Sequence, residues 1–592
     1  AAKGVIVLQG DPCRRAALEN VSAGRARAIV VLSPGEVSSV IDADITNITT
    51  ALVANNLMAS SASISASPAS PEQGTLLVEM IQPENASMLS SNVPMALPIP
   101  QGDIAAKLTT EALLKPGISK VFLELFSFDG NEFYIVDPAP AMIGRTFDEL
   151  CGLLRGQILL GFVIDAEEMA DEDNDGVTLQ EQESEERAAA TGGDGVLAVT
   201  ARGSVVTGHR DRRRIVRMMP RNDRALRDGE SLVVIGYNLP TQQELRDLCS
   251  ISDDGDRRHS AKSSFSQPWW SSRSDMCLLE PIESYDERDA GIRSDAAGAM
   301  SSPAALRRQM ITWIEEAALS FSSASLNADV AAATVWSGSR KKRAQCILCG
   351  WRRGLGEVLR KLDQRYAIGS QVDIIAEVPL ERRDELLEED GLDLDRIENI
   401  IIRHHYGSIL NRRDILPLLE EHQDQIFAPS SVLLLTDLEA PSFELADNAV
   451  TVAALALQDH IAACDLPKMH VVGELQGVNV PVPVPNTEMV QTGLMDAVFM
   501  GQVAVQKLTY DCMYELIGTE HSVSLALVKP ARVLACPDGT FTFAAAQGCV
   551  FGQGAVLIGY STTDRAMHIN PIDKDAVLYI DDVESLVVCH RT

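Results

Sequence analysis

The stretch "AQCILCGWRRGLGEVLRKL" (Ala344–Leu362) decides the fold class of this 592-residue chain. A short apolar run ends at Gly350, a tight turn follows, and an amphipathic helical pattern begins. This strand–turn–helix order opens a nucleotide-binding Rossmann unit. The glycine-rich fingerprint is interrupted, because Trp351, Arg352 and Arg353 stand where small residues let a pyrophosphate approach the backbone. The fold is therefore predicted more firmly than its ligand.

Strand and helix signals alternate through the second half of the chain. The apolar runs are Cys346–Cys349, Val372–Ala376, Asn399–Ile402, Ser431–Leu435 and Met469–Val472. Helical patterns such as Gly354–Tyr366 and Phe443–Cys464 lie between them, which predicts a parallel sheet covered on both faces. After Glu474 come a proline-rich segment, a helical stretch to about Leu516 and further strand-like runs, which predict a smaller α+β lobe.

The first half repeats this order without its beginning. The predicted elements are a strand at Gly4–Asp11, a helix at Cys13–Ala23, a strand at Arg27–Ser33, a helix at Asp42–Ala59 and a strand at Thr75–Ile81. Both halves end on a similar phrase, "ESLVVIG" at Glu230–Gly236 and "ESLVVCH" at Glu584–His590. We therefore expect two copies of one plan, the first lacking its opening strand–helix–strand.

The predicted fold class is α/β, with two Rossmann-like parallel-sheet lobes (the first incomplete at its N-terminus), each followed by a smaller α+β lobe. The predicted domains are 1–92 and 93–245 for the first copy, a largely irregular linker at 246–343, and 344–478 and 479–592 for the second copy. An acidic insertion occupies 165–193 within the first smaller lobe.

Composition limits the classes of partner. Acidic residues outnumber basic residues by 83 to 51, which gives a net charge of −32. Such a surface repels phosphate backbones, so nucleic acid is not expected as a partner and dissolved cations are favoured. Eleven cysteines without paired spacing indicate a reducing compartment. No G-x-S-x-G, H-E-x-x-H or Walker signature is present, so we expect no enzyme.

Several segments resemble the tandem regulator-of-potassium-conductance (RCK) modules of the CASTOR/POLLUX family of ion channels. They are "ILCGWRRGLGEVLRKLD", the "AEVP" at Ala376–Pro379, and "AVLIGY" at Ala555–Tyr560 followed by "INP". In the first copy, "GDPCRRAALENVSAGRARAIVVL" resembles the regulator domains of potassium-uptake systems.

The resemblance implies a ligand-sensing gating region that regulates K⁺ or Ca²⁺ flux. It implies a homotetramer joined through RCK–RCK interfaces and a transmembrane pore upstream of this chain. The protein would then be membrane-associated, with this region facing the cytosol or an organelle stroma, at the nuclear or plastid envelope among other membranes. One alternative is a structural subunit of a large assembly that retains the fold without transport. A less favoured alternative is an NAD-dependent oxidoreductase.

The interrupted turn makes NAD an unexpected cofactor. Gly350, Arg352, Arg353 and Gly354 are weak candidates for gripping an anion at the helix N-terminus. Alternatively, the turn has only a structural role and Trp351 packs at a domain interface.

Calcium is the predicted metal, at either of two sites. In the acidic insertion, Asp171, Asp173 and Asp175 have the alternating spacing that surrounds one hard cation, although a solvated acidic loop is the simpler interpretation. The second set follows from the resemblance to calcium-gated channels of this module type, which places Asp496, Glu515 and Glu520 at a hinge between lobes. The simpler interpretation there is that Asp496 caps a helix.

Overall fold

The architecture is taken from a computed structural model. It describes residues 6–33, 40–64, 74–81, 83–100, 102–128, 130–165, 214–249, 343–421, 431–437, 442–464, 469–477, 482–517, 523–534, 536, 538–564 and 566–591. Nearly all of the acidic insertion and of the linker therefore lies outside the described residues. The described chain divides into two compact units, one holding both parallel sheets and the other both four-stranded antiparallel sheets.

The first repeat contributes a three-stranded parallel sheet in the order β1-β2-β3. Its elements are α1 (Arg15–Asn20), β1 (Ala28–Val31), α2 (Val40–Ile64), β2 (Thr75–Met80), α3 (Pro83–Asn92), β3 (Ala96–Pro100), α4 (Asp103–Leu114) and α5 (Ile118–Phe126). An antiparallel sheet follows in the order β4-β7-β5-β6. Its elements are β4 (Glu132–Val136), α6 (Phe147–Leu153), β5 (Ile158–Asp165), β6 (Arg214–Met218) and β7 (Ser231–Gly236).

The second repeat has a six-stranded parallel sheet in the order β10-β9-β8-β11-β12-β13. Its strands are β8 (Gln345–Cys349), β9 (Ser370–Ala376), β10 (Ile400–Tyr406), β11 (Ser431–Leu434), β12 (His470–Leu475) and β13 (Thr487–Gln491). Its helices are α7 (Leu355–Arg365), α8 (Arg383–Glu389), α9 (Arg412–Glu421), α10 (Phe443–Ala463), α11 (Thr492–Val505) and α12 (Thr509–Ile517). Residues of β8, β9, β11 and β12 form its core together with α9 and α10.

The second antiparallel sheet has the order β14-β19-β16-β17. Its elements are β14 (Val523–Val528), α13 (Phe543–Gly552), β16 (Ala555–Thr562), β17 (Met567–Ile569) and β19 (Val583–Arg591), with a separate pair formed by β15 (Thr540–Thr542) and β18 (Val577–Tyr579). The two similar phrases of the sequence form β7 and β19, which occupy the same position in their sheets. The repeat therefore extends through both lobes.

The predicted strand at Gly4–Asp11 is wrong for its described part, because residues 6–11 are not in a strand. In the second sheet the corresponding strand, β10, pairs only with β9. The described residues of the first repeat contain no counterpart of β9, so no described strand lies beside this segment. Ile6 and Val7 are 82% and 88% exposed as a result.

Two strands extend the parallel sheets beyond the predicted lobe boundaries. β3 pairs with β2, and β13 pairs with β12, both in parallel. The boundaries after residues 92 and 478 assign these strands to the smaller lobes instead. Pro98 and Pro100 are unusual in a strand, so the sequence pattern does not predict β3. They are tolerated because β3 is an edge strand.

Helix α4 lies in the core of the unit that holds both parallel sheets. It is buried from Ile104 to Leu113, and the buried residues include the charged Lys107 and Glu111. Lys107 Nζ donates to Asp103 Oδ2 at 2.8 Å and lies 3.3 Å from the centre of the Tyr514 ring. Glu111 forms an ion pair with Arg365 of α7. The two repeats therefore share one core in this unit.

Both antiparallel sheets contain a β-bulge at an equivalent glycine. The register shifts between Leu159 and Gly161 in β5, and between Leu557 and Gly559 in β16. A Cβ atom at Gly161 would lie 2.2 Å from a backbone oxygen, and one at Gly559 would lie 2.5 Å from another. Glycine is therefore required where the next strand crosses closely.

None of the described helices is both long enough and apolar enough to cross a membrane.

We predict that Gly559→Ala lowers the free energy of unfolding by about 1–3 kcal/mol, because the added methyl group overlaps backbone that cannot move aside. Gly552→Ala is the matched control. Gly552 is helical and nothing lies within 4 Å of the place that an added methyl group would take, so this variant should be neutral or slightly stabilising. Urea unfolding of both variants measures the difference. Equal stabilities would show that the bulge tolerates a side chain.

Candidate functional site

The candidate site is the carboxyl edge of the six-stranded sheet. β8 and β11 are neighbours there, although β9 and β10 separate them in the chain and lie on the other side of β8. Ligands of open α/β sheets bind at this kind of switch point. Gly350 makes the turn after β8 with φ 106°, and its N–H donates to the Ile375 carbonyl at 2.9 Å.

Arg352 fills the switch point. Its side chain is 1% exposed, and its Nε donates to Glu474 Oε2 at 2.8 Å, where the Glu474 side chain is fully buried. Glu474 lies near the end of β12, so the ion pair spans the carboxyl ends of β8, β11 and β12. A buried carboxylate requires such a partner, because an unpaired charge in this position is costly.

The same glutamate recurs in the first repeat. Glu79 is the fifth residue of β2 and Glu474 the fifth residue of β12. Ser33 N donates to Glu79 Oε2 at 2.6 Å, and Thr436 N donates to Glu474 Oε2 at 3.3 Å. Ser33 and Thr436 each stand two residues after the preceding strand, so both repeats contain the same hydrogen bond. The ion pair with Arg352 is specific to the second repeat.

The N-terminus of α7 is occupied by a carboxylate of the chain itself. Gly354 N–H donates to Asp390 Oδ2 at 3.0 Å, and Gly356 also bonds this carboxylate. Burial raises the pKa of Asp390, while the two backbone bonds act in the opposite direction. In a dinucleotide site, a phosphate group takes this position.

Arg383 fills the neighbouring side of the edge, at the ends of β9 and β10. It is fully buried, and its guanidinium donates to the carbonyl oxygens of Ile374, Ala376, Val378 and His405. It also lies 5.5 Å from the centre of the Trp351 ring. Trp351 therefore packs against the edge of its own sheet.

These contacts account for most of the predicted anion-binding residues. Arg352 is committed to Glu474, and the Gly354 N–H is committed to Asp390. Arg353 is exposed, and the Gly350 N–H is committed to the Ile375 carbonyl of β9. The arrangement is a filled crevice, which is the physical reason to expect no NAD here.

Asp496 lies in the second turn of α11, beyond the position from which it could cap that helix. Its Oδ1 is buried and finds no hydrogen-bond partner among the described residues. Burial, followed by the charges of Glu79 and Glu474, raises the pKa of Asp496 from 3.8 to about 7. Arg352 acts in the opposite direction. One carboxyl group therefore senses the equivalent glutamates of both repeats.

The predicted calcium ligands are only partly visible. The carboxylates with the largest effect on the pKa of Asp496 are Glu79 and Glu474 rather than Glu515. Glu520 lies outside the described residues, as do Asp171, Asp173 and Asp175. Within the described part of the chain, no three His, Cys, Asp or Glu side chains are arranged to hold a metal ion.

Sequence reasoning missed Glu474, Asp390 and Arg383 as residues of this edge. A charged residue inside the apolar run "HVVGEL" was the available signal for Glu474. Asp390 and Arg383 belong to a helical segment rich in charges, where no local pattern separates a buried charge from a solvated one.

Comparisons with known proteins point to ion channels. No family model matches the chain. Over 139 residues the chain is 30% identical to the ion channel CASTOR of Lotus japonicus, covering 24% of this chain and 16% of the channel. Over 121 residues it is 31% identical to the ion channel POLLUX of Lotus japonicus and 30% identical to the ion channel DMI1 of Medicago truncatula. Each of these two covers 20% of the chain, and 12% and 13% of the relative.

The chain thus spans about one sixth of the length of the curated relatives it matches, or less. Among solved structures, the human SLO3 gating ring has a similar fold, with a TM-score of 0.54 and 12% identity. That match covers 99% of this chain and 91% of the other. These findings confirm the resemblance to CASTOR/POLLUX-like channels and the α/β fold class.

We predict that Asp496→Asn reduces the loss of stability of the chain as pH rises. In the parent, the folded pKa of about 7 lies above the ordinary value of 3.8, so stability is lost as pH rises through this interval. The difference between the free energies of unfolding of parent and variant, measured by urea unfolding at pH 5 and pH 8, should change by up to about 3 kcal/mol between the two pH values.

Asp581→Asn, at an exposed aspartate, is the control and should follow the parent. If Asp496→Asn also follows the parent, then Asp496 is ionised at low pH and its carboxyl group is solvated.

Proposed function

We propose that this chain is the ligand-sensing gating region of a CASTOR/POLLUX-like cation channel that regulates K⁺ or Ca²⁺ flux. The observation that carries the proposal is the duplication of both lobes. Each repeat has a parallel sheet, a helix pair (α4–α5 or α11–α12) and an antiparallel sheet with the same strand order. The similarity to ion channels over part of the chain and the gating-ring fold support it.

The proposed mechanism is a shift between two arrangements of the gating region. A ligand changes the populations of two conformations only through its different affinities for them. A pore outside this chain would respond to that shift through its linkers, which makes the protein membrane-associated. Facing the cytosol or an organelle stroma is part of the same proposal.

Assembly into a homotetramer is the second part of the proposal. α2 and α10 follow equivalent strands of the two repeats, and both expose apolar side chains. Ile45 and Leu52 are 55% and 39% exposed on α2, and Leu445, Val452 and Leu455 are 45–56% exposed on α10. Apolar faces of this kind mark protein–protein contacts.

Calcium is the proposed ligand, at the hinge site of Asp496, Glu515 and Glu520, of which Asp496 and Glu515 lie within the described residues. The surrounding carboxylates make an added cation favourable, and binding would require Asp496 to ionise. Calorimetry should show weaker calcium binding by Asp496→Asn than by the parent. Unchanged binding would remove Asp496 from the calcium site and leave the gating proposal standing.

The assembly is tested with Val452→Asp. A buried carboxylate at a subunit contact is unfavourable, so this variant should lower the tetramer fraction at least tenfold at a given concentration, as measured by size-exclusion chromatography with light scattering. The control is Val482→Asp, because Val482 is 64% exposed and lies outside α2 and α10. A parent that remains monomeric, or equal tetramer fractions in both variants, would contradict the proposed interface.

A non-transport structural subunit would also assemble. The two functions separate when the chain is expressed with a pore from one of the channel relatives. A current that changes when ligand is added supports gating. A current that does not change with any ligand supports a structural role.

A further inference from the structure

The pair formed by Arg352 and Glu474 is buried more deeply than an ion pair needs for stability alone. The two side chains are 1% and 0% exposed. Removing two charges from water is costly, and apolar residues of similar volume are often as stable. Stability by itself therefore does not explain why a guanidinium occupies the switch point of this sheet.

The surroundings of the pair have the chemistry of a ligand site. Arg352 Nη1 donates to the Arg353 carbonyl at 2.9 Å. Arg352 Nη2, Glu474 Oε1 and Thr436 Oγ1 are buried and find no partner among the described residues. Glu474 thus presents a buried carboxylate with one oxygen still unused, at the position in the sheet where ligands bind.

The backbone is shaped around the guanidinium. Gly354 has φ 81°, and a Cβ atom there would lie 3.1 Å from Arg352 Nη1. In a dinucleotide site the glycine at such a turn makes room for the pyrophosphate. Here the same room admits the side chain of Arg352, and Asp390 occupies the adjoining helix N-terminus.

We propose that the second Rossmann-like lobe carries its own ligand. The Arg352 guanidinium fills a cation site provided by Glu474, and Asp390 fills the position of the phosphate. The lobe is held permanently in its occupied form and takes no soluble dinucleotide. This inference does not rest on the gating role, since it concerns the folded lobe itself.

The experiment creates the empty site and refills it with a small molecule. Arg352→Ala retains Cβ, so ethylguanidinium supplies the two missing methylene groups and the guanidinium. Thermal unfolding of the whole chain is followed at increasing ethylguanidinium, with sodium chloride as the ionic control. The matched variant is Arg353→Ala, which removes the same group from the adjacent exposed position.

Arg352→Ala should lower the unfolding midpoint by several degrees, and ethylguanidinium should restore it with saturation. Arg353→Ala and the parent should show neither effect, and the parent should give no saturable change in NADH fluorescence. An Arg352→Ala midpoint equal to that of Arg353→Ala would overturn the proposal. So would an equal response of all chains to ethylguanidinium, or saturable NADH binding by the parent.

A second variant covers the case in which Arg352→Ala does not fold. Adding Glu474→Gln removes the unpaired carboxylate, so the double variant should recover folding and lose any response to ethylguanidinium. If the double variant also fails to fold, Arg352 is needed for packing and the proposal is wrong.

Discussion

The buried charges of α4 constrain how the two repeats pack in the unit that holds both parallel sheets. Lys107 and Glu111 lie inside the helix, and both find partners in residues of the second repeat. Lys107 packs over the ring of Tyr514, and Glu111 binds Arg365. Burial lowers the pKa of Lys107, with Asp103 acting in the opposite direction. Buried charges are costly without partners, so these contacts favour the observed packing of the second repeat against α4.

The equivalent glutamates near the ends of β2 and β12 have different partners in the two repeats. Glu79 and Glu474 accept the same backbone hydrogen bond in equivalent places. Among the described residues only the second glutamate meets an arginine, since Arg352 reaches the edge from the strand–turn–helix of the second repeat. The two copies of the fold therefore differ in their electrostatics at this edge. The glutamates of both copies raise the pKa of Asp496.

The sequence predicted the regular parts of the fold because they depend on local periodicity. The strand at Cys346–Cys349 and the helix at Phe443–Cys464 are present nearly as predicted, as β8 and most of α10. The strand at Gly4–Asp11 failed because pairing is not local. The site was foreseen only in outline. The spoiled turn indicated that Trp351 or Arg352 would fill the crevice, but the partner of Arg352 lies 122 residues away. No spacing rule connects two such positions.

The hydrogen bonds of Glu488 in β13 bear on how the chain folds while it is being synthesised. It accepts hydrogen bonds from Gly117 N at 2.6 Å and from Ser119 N at 3.1 Å, and so caps α5 of the first repeat from 371 residues away. At translation rates of about 5–20 residues per second, the cap follows its helix by roughly 20–70 s. For the first part of that interval, until Arg365 has been synthesised, α4 has none of its partners from the second repeat. The first repeat therefore leaves the ribosome before these partners of its buried charges exist, and its packing is completed only by the second repeat.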